Sequence, residues 1–470
     1  MPDSEFSRQL TSASQAVVAP SPIVDPSPSV DMLGSPDGEG MVGGPGGLIA
    51  RIVRWVTKGG LAVLEQGLFS GSNFLMGVLL ARWMLPPQYG AYAYTYAIFL
   101  FLSLIQISII FEPMAVFGCA DYQHCLRGYQ NTLLQLNTGL SIIMVVGLAL
   151  YAFFTRGEPG GLSGALVGMA VAGPCVLLSW LSRRSFYLKL KPGFPVVGAL
   201  IYFLCMIGGL FLLKKHGLIS PFSAYIIMAA AALVASLVLF IRLHWEFKSS
   251  DAPAPNLRET WRRHWSYGRW AVAASFVAWF PAYIYFPVLN HFSGLVPAAQ
   301  FRSLMNFVLP VQQTYGALSI FLLAIAAGVQ GKSGVKGLRP LVKRFTVILL
   351  SGAILYWLVL IPFRHQAFQL LYGGKYMEAS DLMPLIGISC ILWSAVLAPT
   401  IILRALESPS DVFWAQLAAS ISCILFGIPM TRAFGVRGVA WGLVVSNGVA
   451  FLICMLMLRR RIAQATLAGQ

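Results

Sequence analysis

Three polar stripes contain the residues of this chain whose types and spacing could do chemistry. Gln66, Ser70, Asn73 and Gly77 recur at i, i+4, i+7 and i+11, which puts them on one face of a helix. Arg302, Asn306, Leu309 and Gln313 share a second face, with Pro310 interrupting the helix beside them. Trp279, Tyr283, Phe286 and Asn290 share a third, broken by Pro281 and Pro287. Amides, a guanidinium and aromatic rings are binding groups: they exchange hydrogen bonds with hydroxyls, hold anions and stack on other rings. A single such stripe is also what hydrogen bonding between bundled helices produces. Three together favour a shared wet cavity. Arg269 and Arg82 are further candidate cations, and Glu65 and Glu112 are the acids placed to reach a wet interior.

Motifs for catalysis are weaker. "GVQGKSG" (328–334) imitates a phosphate-binding loop, but Ala326 stands where that loop needs its first glycine and no strand precedes it. "CADYQHC" gathers Cys119, Asp121, His124 and Cys125 without the tight pairs of a zinc site, so no metal is expected. The seven cysteines fall mostly within apolar runs and read as packing residues. Nothing resembles a nucleophile–base arrangement, and the chain is read as a non-enzyme.

The stripes need elements to hold them, and composition says which. The chain is 470 residues long, 57% hydrophobic and only 11% charged. A soluble domain carries about 25% charged residues. Twelve apolar stretches, near 60–83, 90–112, 131–154, 162–182, 194–213, 219–242, 267–289, 298–328, 341–362, 380–403, 411–430 and 437–458, are long enough to cross hydrocarbon. The expected fold is all-α and integral to a membrane. The net charge of +16 therefore reflects bases flanking spans, and no nucleic-acid partner is expected. Alternate loops, starting with the N-terminal flank, hold 23 Lys and Arg against 9 in the others. That bias assigns both termini and the 243–266 connection to the cytoplasm.

Five regions are expected: a disordered Pro/Ser/Gly-rich tail over 1–48, a six-helix bundle over 49–242, a cytoplasmic loop over 243–266, a second six-helix bundle over 267–460, and a short tail over 461–470. The halves are faint repeats. "MLPPQYGAYAYTYAI" (84–98) joins span one to span two, and "HFSGLVPAAQFRSLMNFV" (291–308) joins span seven to span eight at the matching place. The prolines mark a tight turn at the outer surface and the tyrosines an interface belt. Arg82 beside them either snorkels to that interface or faces a cavity mouth.

"NFLMGVLLARWMLPPQYGAYAYTYAIFLFL" followed by "FEPMAVFG", together with "LLYGGKYMEASDLMPLIGIS" (370–389) and "FGVRGVAWGLVVSN" (434–447), resembles the polysaccharide repeat-unit flippases. These belong to the multidrug/oligosaccharidyl-lipid/polysaccharide (MOP) exporter superfamily, and the likeness covers roughly 55–460. It implies two facing six-helix bundles of MATE-like build, with spans one, two, seven and eight around a central cavity. It also implies alternating access that carries an undecaprenyl-diphosphate-linked oligosaccharide across the inner membrane for surface or exopolysaccharide synthesis. Partners are then that glycolipid, membrane lipids, and polysaccharide polymerase or export proteins. No cofactor is implied beyond a proton or sodium gradient. On this reading Arg302, Arg269 and Arg82 are the cations for the diphosphate; Asn73, Gln66, Asn306, Gln313 and Tyr283 are the sugar contacts; Glu65 and Glu112 are the ion-coupling candidates. An ion-coupled exporter of drugs or amphiphiles, and a membrane enzyme or scaffold of glycan assembly, stay open as alternatives.

Overall fold

The computed structural model describes residues 45–157, 159–189, 191–246, 255–406 and 408–467, and among them there is no strand. The first half holds α1 (Pro45–Trp83), α2 (Pro86–Gln106), a π turn (Ile107–Phe111), α3 (Glu112–Ala120), α4 (Leu126–Phe154), α5 (Leu162–Ser185), α6 (Gly193–Lys215) and α7 (Pro221–Glu246). The second holds α8 (Leu257–Tyr283), α9 (Tyr285–Ser293), α10 (Leu295–Leu360), α11 (Arg364–Tyr372), α12 (Met377–Ser380), α13 (Met383–Ala405), α14 (Pro409–Ser422), a second π turn (Cys423–Gly427), α15 (Ile428–Phe434) and α16 (Val436–Leu467). Among the described residues, eleven stretches are long and apolar enough to cross a membrane, and α8 with α9, bent by 46°, makes up to a twelfth.

Several boundaries differ from the sequence reading. The tail expected over 1–48 lies outside the described residues as far as residue 44, and α1 already begins at Pro45. The expected 243–266 loop is shorter: α7 continues to Glu246, residues 247–254 lie outside the described residues, and α8 starts at Leu257. There the Asn256 side chain caps the helix by accepting from the Arg258 N–H at 2.9 Å. The expected 461–470 tail is helical through Leu467, and 468–470 lie outside the described residues. Spans eight and nine are one run, Leu295–Leu360, broken only at Gly334, whose φ of 59° is open to glycine without a steric penalty.

Proline chemistry explains the irregular turns. Leu85 is extended, and Pro86 and Pro87 then open α2, where a missing N–H costs nothing. Pro113 has no N–H to give the Ile109 carbonyl one turn back, and the helix widens into the π turn just before it. His264 satisfies that freed carbonyl through Nδ1 at 2.7 Å, so its Nε2 is left to accept from the Tyr129 hydroxyl at 2.8 Å. Pro281 frees the Val277 carbonyl in the same way, and the Ser420 hydroxyl takes it at 2.6 Å. The His264 contact stitches α8 to the first half beside the cavity.

Candidate functional site

A cavity runs between the two sets of helices in two joined lobes. One, of ≈ 380 Å³, lies against α1, the end of α5 and residues 309–314 of α10. The other, of ≈ 250 Å³, lies against the π turn, α3, α8, α10, α13, α14 and α16. Ile107, Arg184, Tyr283, Arg302, Leu309 and Gln312 line both and form the waist between them. The larger lobe is of the size that holds a small ligand or part of a larger one.

The first lobe is rich in amides and hydroxyls. Gln66, Ser70 and Asn73 project from α1, and Gln312, Gln313 and Thr314 from α10. Gln66 donates to Ser70 Oγ at 3.0 Å and to Gln313 Oε1 at 3.3 Å, joining the two stripes across the lobe. Its own Oε1 has no partner. Tyr202 donates to Asn73 Oδ1 at 3.4 Å. Glu65 is buried on the same wall and forms an ion pair with Arg183, while the Tyr187 hydroxyl donates to it at 3.1 Å. Arg183 also stacks over Phe69, with its guanidinium carbon 4.0 Å from the ring centre. A pair so complete is a neutral feature of the wall.

At the waist, Arg302 is 7% exposed and its guanidinium carbon stands 5.4 Å from the Tyr96 ring centre. Tyr89, Tyr92, Tyr96 and Tyr283 lie within electrostatic reach of it. None of the ion pairs among the described residues includes Arg302, and its Nε has no hydrogen-bond partner. Arg184, from the last turn of α5, lies over Phe111 at 4.4 Å and faces Glu112. The second lobe is more apolar, with Trp279, Phe286, Ile386, Trp393, Leu397 and Leu443 on its walls; Glu112 also lines it, with one carboxyl oxygen unpartnered.

The structure thus brings Arg302, Gln313, Gln66, Asn73, Tyr283, Glu65 and Glu112 to one cavity and leaves three expected residues off it. Asn306 is fully buried beneath Gly77, donating to the hydroxyls of Tyr89 at 3.1 Å and Tyr372 at 3.2 Å, and lines neither lobe. The helical repeat carries Asn306 about 40° round α10 from Arg302, toward α1. Arg269 is exposed beside Trp270. Arg82 is exposed at the end of α1, where it donates to the Leu370 carbonyl at 3.1 Å, and Lys375 donates back to the carbonyls of Arg82 at 2.9 Å and Met84 at 2.6 Å. Each cation meets carbonyls near the C-terminal end of a helix from the opposite half, a favourable place for positive charge. Arg183, Arg184, Tyr96 and Gln312 were not singled out from sequence. The adjacent arginines were legible only as bases flanking a span; the helix keeps turning to Ser185 and directs them back into the cavity.

By sequence, the chain matches no protein-family model and no curated protein. By structure it is similar to an inward-facing multidrug-resistance transporter of the MATE family, MOP superfamily (TM-score 0.73, 12% identity, 87% of this chain and 100% of that one). It is also similar to the lipid II flippase MurJ in an inward closed conformation (TM-score 0.67, 13% identity, 87% and 90%). An outward-facing MATE transporter is less so (TM-score 0.61, 13% identity, 87% and 96%). The chain has the MATE/MurJ-like fold, with the spans of a multi-pass membrane protein.

Proposed function

We propose that this chain, built on the fold of the MOP-superfamily transporters, is an inner-membrane flippase for an undecaprenyl-diphosphate-linked oligosaccharide made for surface or exopolysaccharide. The observation that carries the reading is Arg302: a buried cation without a carboxylate partner, on the wall common to both lobes. A buried structural arginine is ordinarily paired, because an unpaired charge in a membrane protein is costly. One that receives an anionic substrate waits in the wet cavity, and a guanidinium grips phosphate oxygens two at a time. The cargo's difficulty is its sugars, whose hydroxyls each cost several kcal/mol to strip of hydrogen bonds. Amides of α1 and α10 supply replacements. The inward-facing likeness fits loading from the cytoplasmic leaflet, with the Arg82 and Lys375 end closed.

One observation favours a second reading, an ion-coupled exporter of amphiphiles: the unpartnered Glu112 oxygen on the second lobe. The charged side chains lining the two lobes are Arg183, Arg184, Arg302 and Arg404 against Glu65 and Glu112, a balance that suits an anion better than a cationic drug.

Deletion of the gene should leave undecaprenyl-linked repeat units on the cytoplasmic leaflet and remove surface polysaccharide. Complementation with Arg302→Gln should fail at parental protein abundance, whereas Arg302→Lys should restore part of the export, because charge survives without the bidentate fork. Full export by Arg302→Gln would refute the assignment of Arg302, and unchanged lipid-linked sugars on deletion would refute the function.

A further inference from the structure

The charges of the cavity restrict the cargo further. Resting on the flippase reading, we infer that the glycan this chain accepts carries no ionised group: it is a neutral oligosaccharide, recognised in the amide-lined lobe.

Consider which charges a glycan would meet there. Glu65 and Arg183 are spent on each other, with Tyr187 completing the carboxylate. Among the described residues, the cations left on that lobe are Arg302 and Arg184, the latter facing Glu112, and both stand at the waist. A polyprenyl diphosphate joined to a sugar is a diester bearing one negative charge on each phosphorus. Two phosphates facing two guanidiniums, one from α5 and one from α10, use up both. A uronate or phosphate on the glycan would then add an anion that no further cation among the described residues of this lobe meets. Burying an unpaired charge is among the costliest arrangements available.

The uncharged groups argue the same way. Gln66 Oε1 is buried without a partner. It is an acceptor, so it requires a donor, and a sugar hydroxyl or an acetamido N–H supplies one while an ionised carboxylate has none. Asn73 and Gln313 offer amides that both donate and accept, the pattern that matches hydroxyls rather than carboxylates. Tyr96 and Tyr283 present rings to the same space, and these accept the apolar faces of neutral sugars.

The test uses full-length protein in nanodiscs and three probes. The first is bare polyprenyl diphosphate. The second carries a neutral disaccharide, and the third carries the same disaccharide with its terminal C6 oxidised to a carboxylate. Tryptophan fluorescence reports Kd. The neutral glycolipid should bind at least tenfold tighter than the acidic one and tighter than the bare diphosphate. Gln313→Arg, which adds a cation to the lobe, should narrow the gap between the neutral and acidic probes. Acidic binding equal to or tighter than neutral, or no gain from the neutral sugar over the bare diphosphate, overturns the inference while leaving the flippase reading in place. Failure of all three to bind folded protein, with binding of a cationic amphiphile instead, overturns the flippase reading and the inference with it.

Discussion

Gly90 marks a close approach of the two halves, and on the flippase reading enlarging it should tilt the protein toward an outward-open state. The residue lies near the start of α2, against the backbone of Leu295 at the start of α10. A methyl group on Gly90 would fall well inside the 3.0 Å that Cβ contacts respect, and the atom it meets is a carbonyl oxygen of the main chain, which cannot rotate away. The helices must part by roughly 1 Å or more in an interior packed as tightly as a crystal. Overpacking of this kind costs about 1–3 kcal/mol. The cost falls only on the state in which α2 and α10 touch, so the open state gains about 5- to 150-fold in relative population. Nearby, Asn306 holds Tyr89 across the same seam, and that bond would stretch as well. The assay is a cysteine at Ser303, which is fully buried behind the seam, in a background with the seven native cysteines replaced. An impermeant thiol reagent added outside should modify Ser303→Cys slowly in the parent and 5- to 150-fold faster with Gly90→Ala. An unchanged rate in a Gly90→Ala variant of parental abundance would show that this seam does not govern access.

Two other expectations concern stability and orientation. Arg183→Met leaves Glu65 buried without its partner and should cost ~3–5 kcal/mol, toward the low end because one side of the pair is the cavity. The double change Glu65→Leu with Arg183→Met should regain most of the lost melting temperature, and a single variant as stable as the parent would refute the pair's structural role. For topology, cysteines at the exposed positions Gly157 and His216 should react with impermeant reagents from outside, and those at Ser266 and Lys343 should not. The reverse pattern would invert the orientation drawn from the basic residues.

Much of this architecture was legible because a membrane leaves the sequence few options. Each backbone polar group must be satisfied within the spanning segment, so long apolar runs become helices, and polar residues within them signal a cavity or a helix contact. That logic took Gln66, Asn73, Gln313 and Arg302 to the cavity. It also took Asn306 there, and erred, because a helical face spans a wide arc. Arg302, Met305 and Gln312 turn toward the lobes, while Asn306 at the other edge of that arc turns to Gly77 and two phenols. Only the neighbouring helix decides between wet wall and dry contact, and no pattern within one helix contains it.

The arginines failed in the opposite direction. Arg183 and Arg184 end an apolar run, which is where the positive-inside rule expects cytoplasmic bases. Counted so, they enter the orientation argument as loop bases, and their place in the cavity stays concealed. What separates a flanking base from a cavity cation is whether the helix persists past it and what faces it. Here α5 continues to Ser185, Glu65 comes from α1, and Phe69 and Phe111 provide ring faces for the two guanidiniums. Glu65 was the legible half of that arrangement: an acid within an apolar span requires a cation, and α1 has none at i±3 or i±4. The partner therefore had to come from another helix. Pairing it with Arg183 turns Glu65 from a coupling candidate into a neutral element of the wall. The cationic character of the waist then rests on Arg302 and Arg184, one from each half. On the flippase reading, an anion held between them would tie the two bundles together, so that binding of the diphosphate and movement of the halves would become one event.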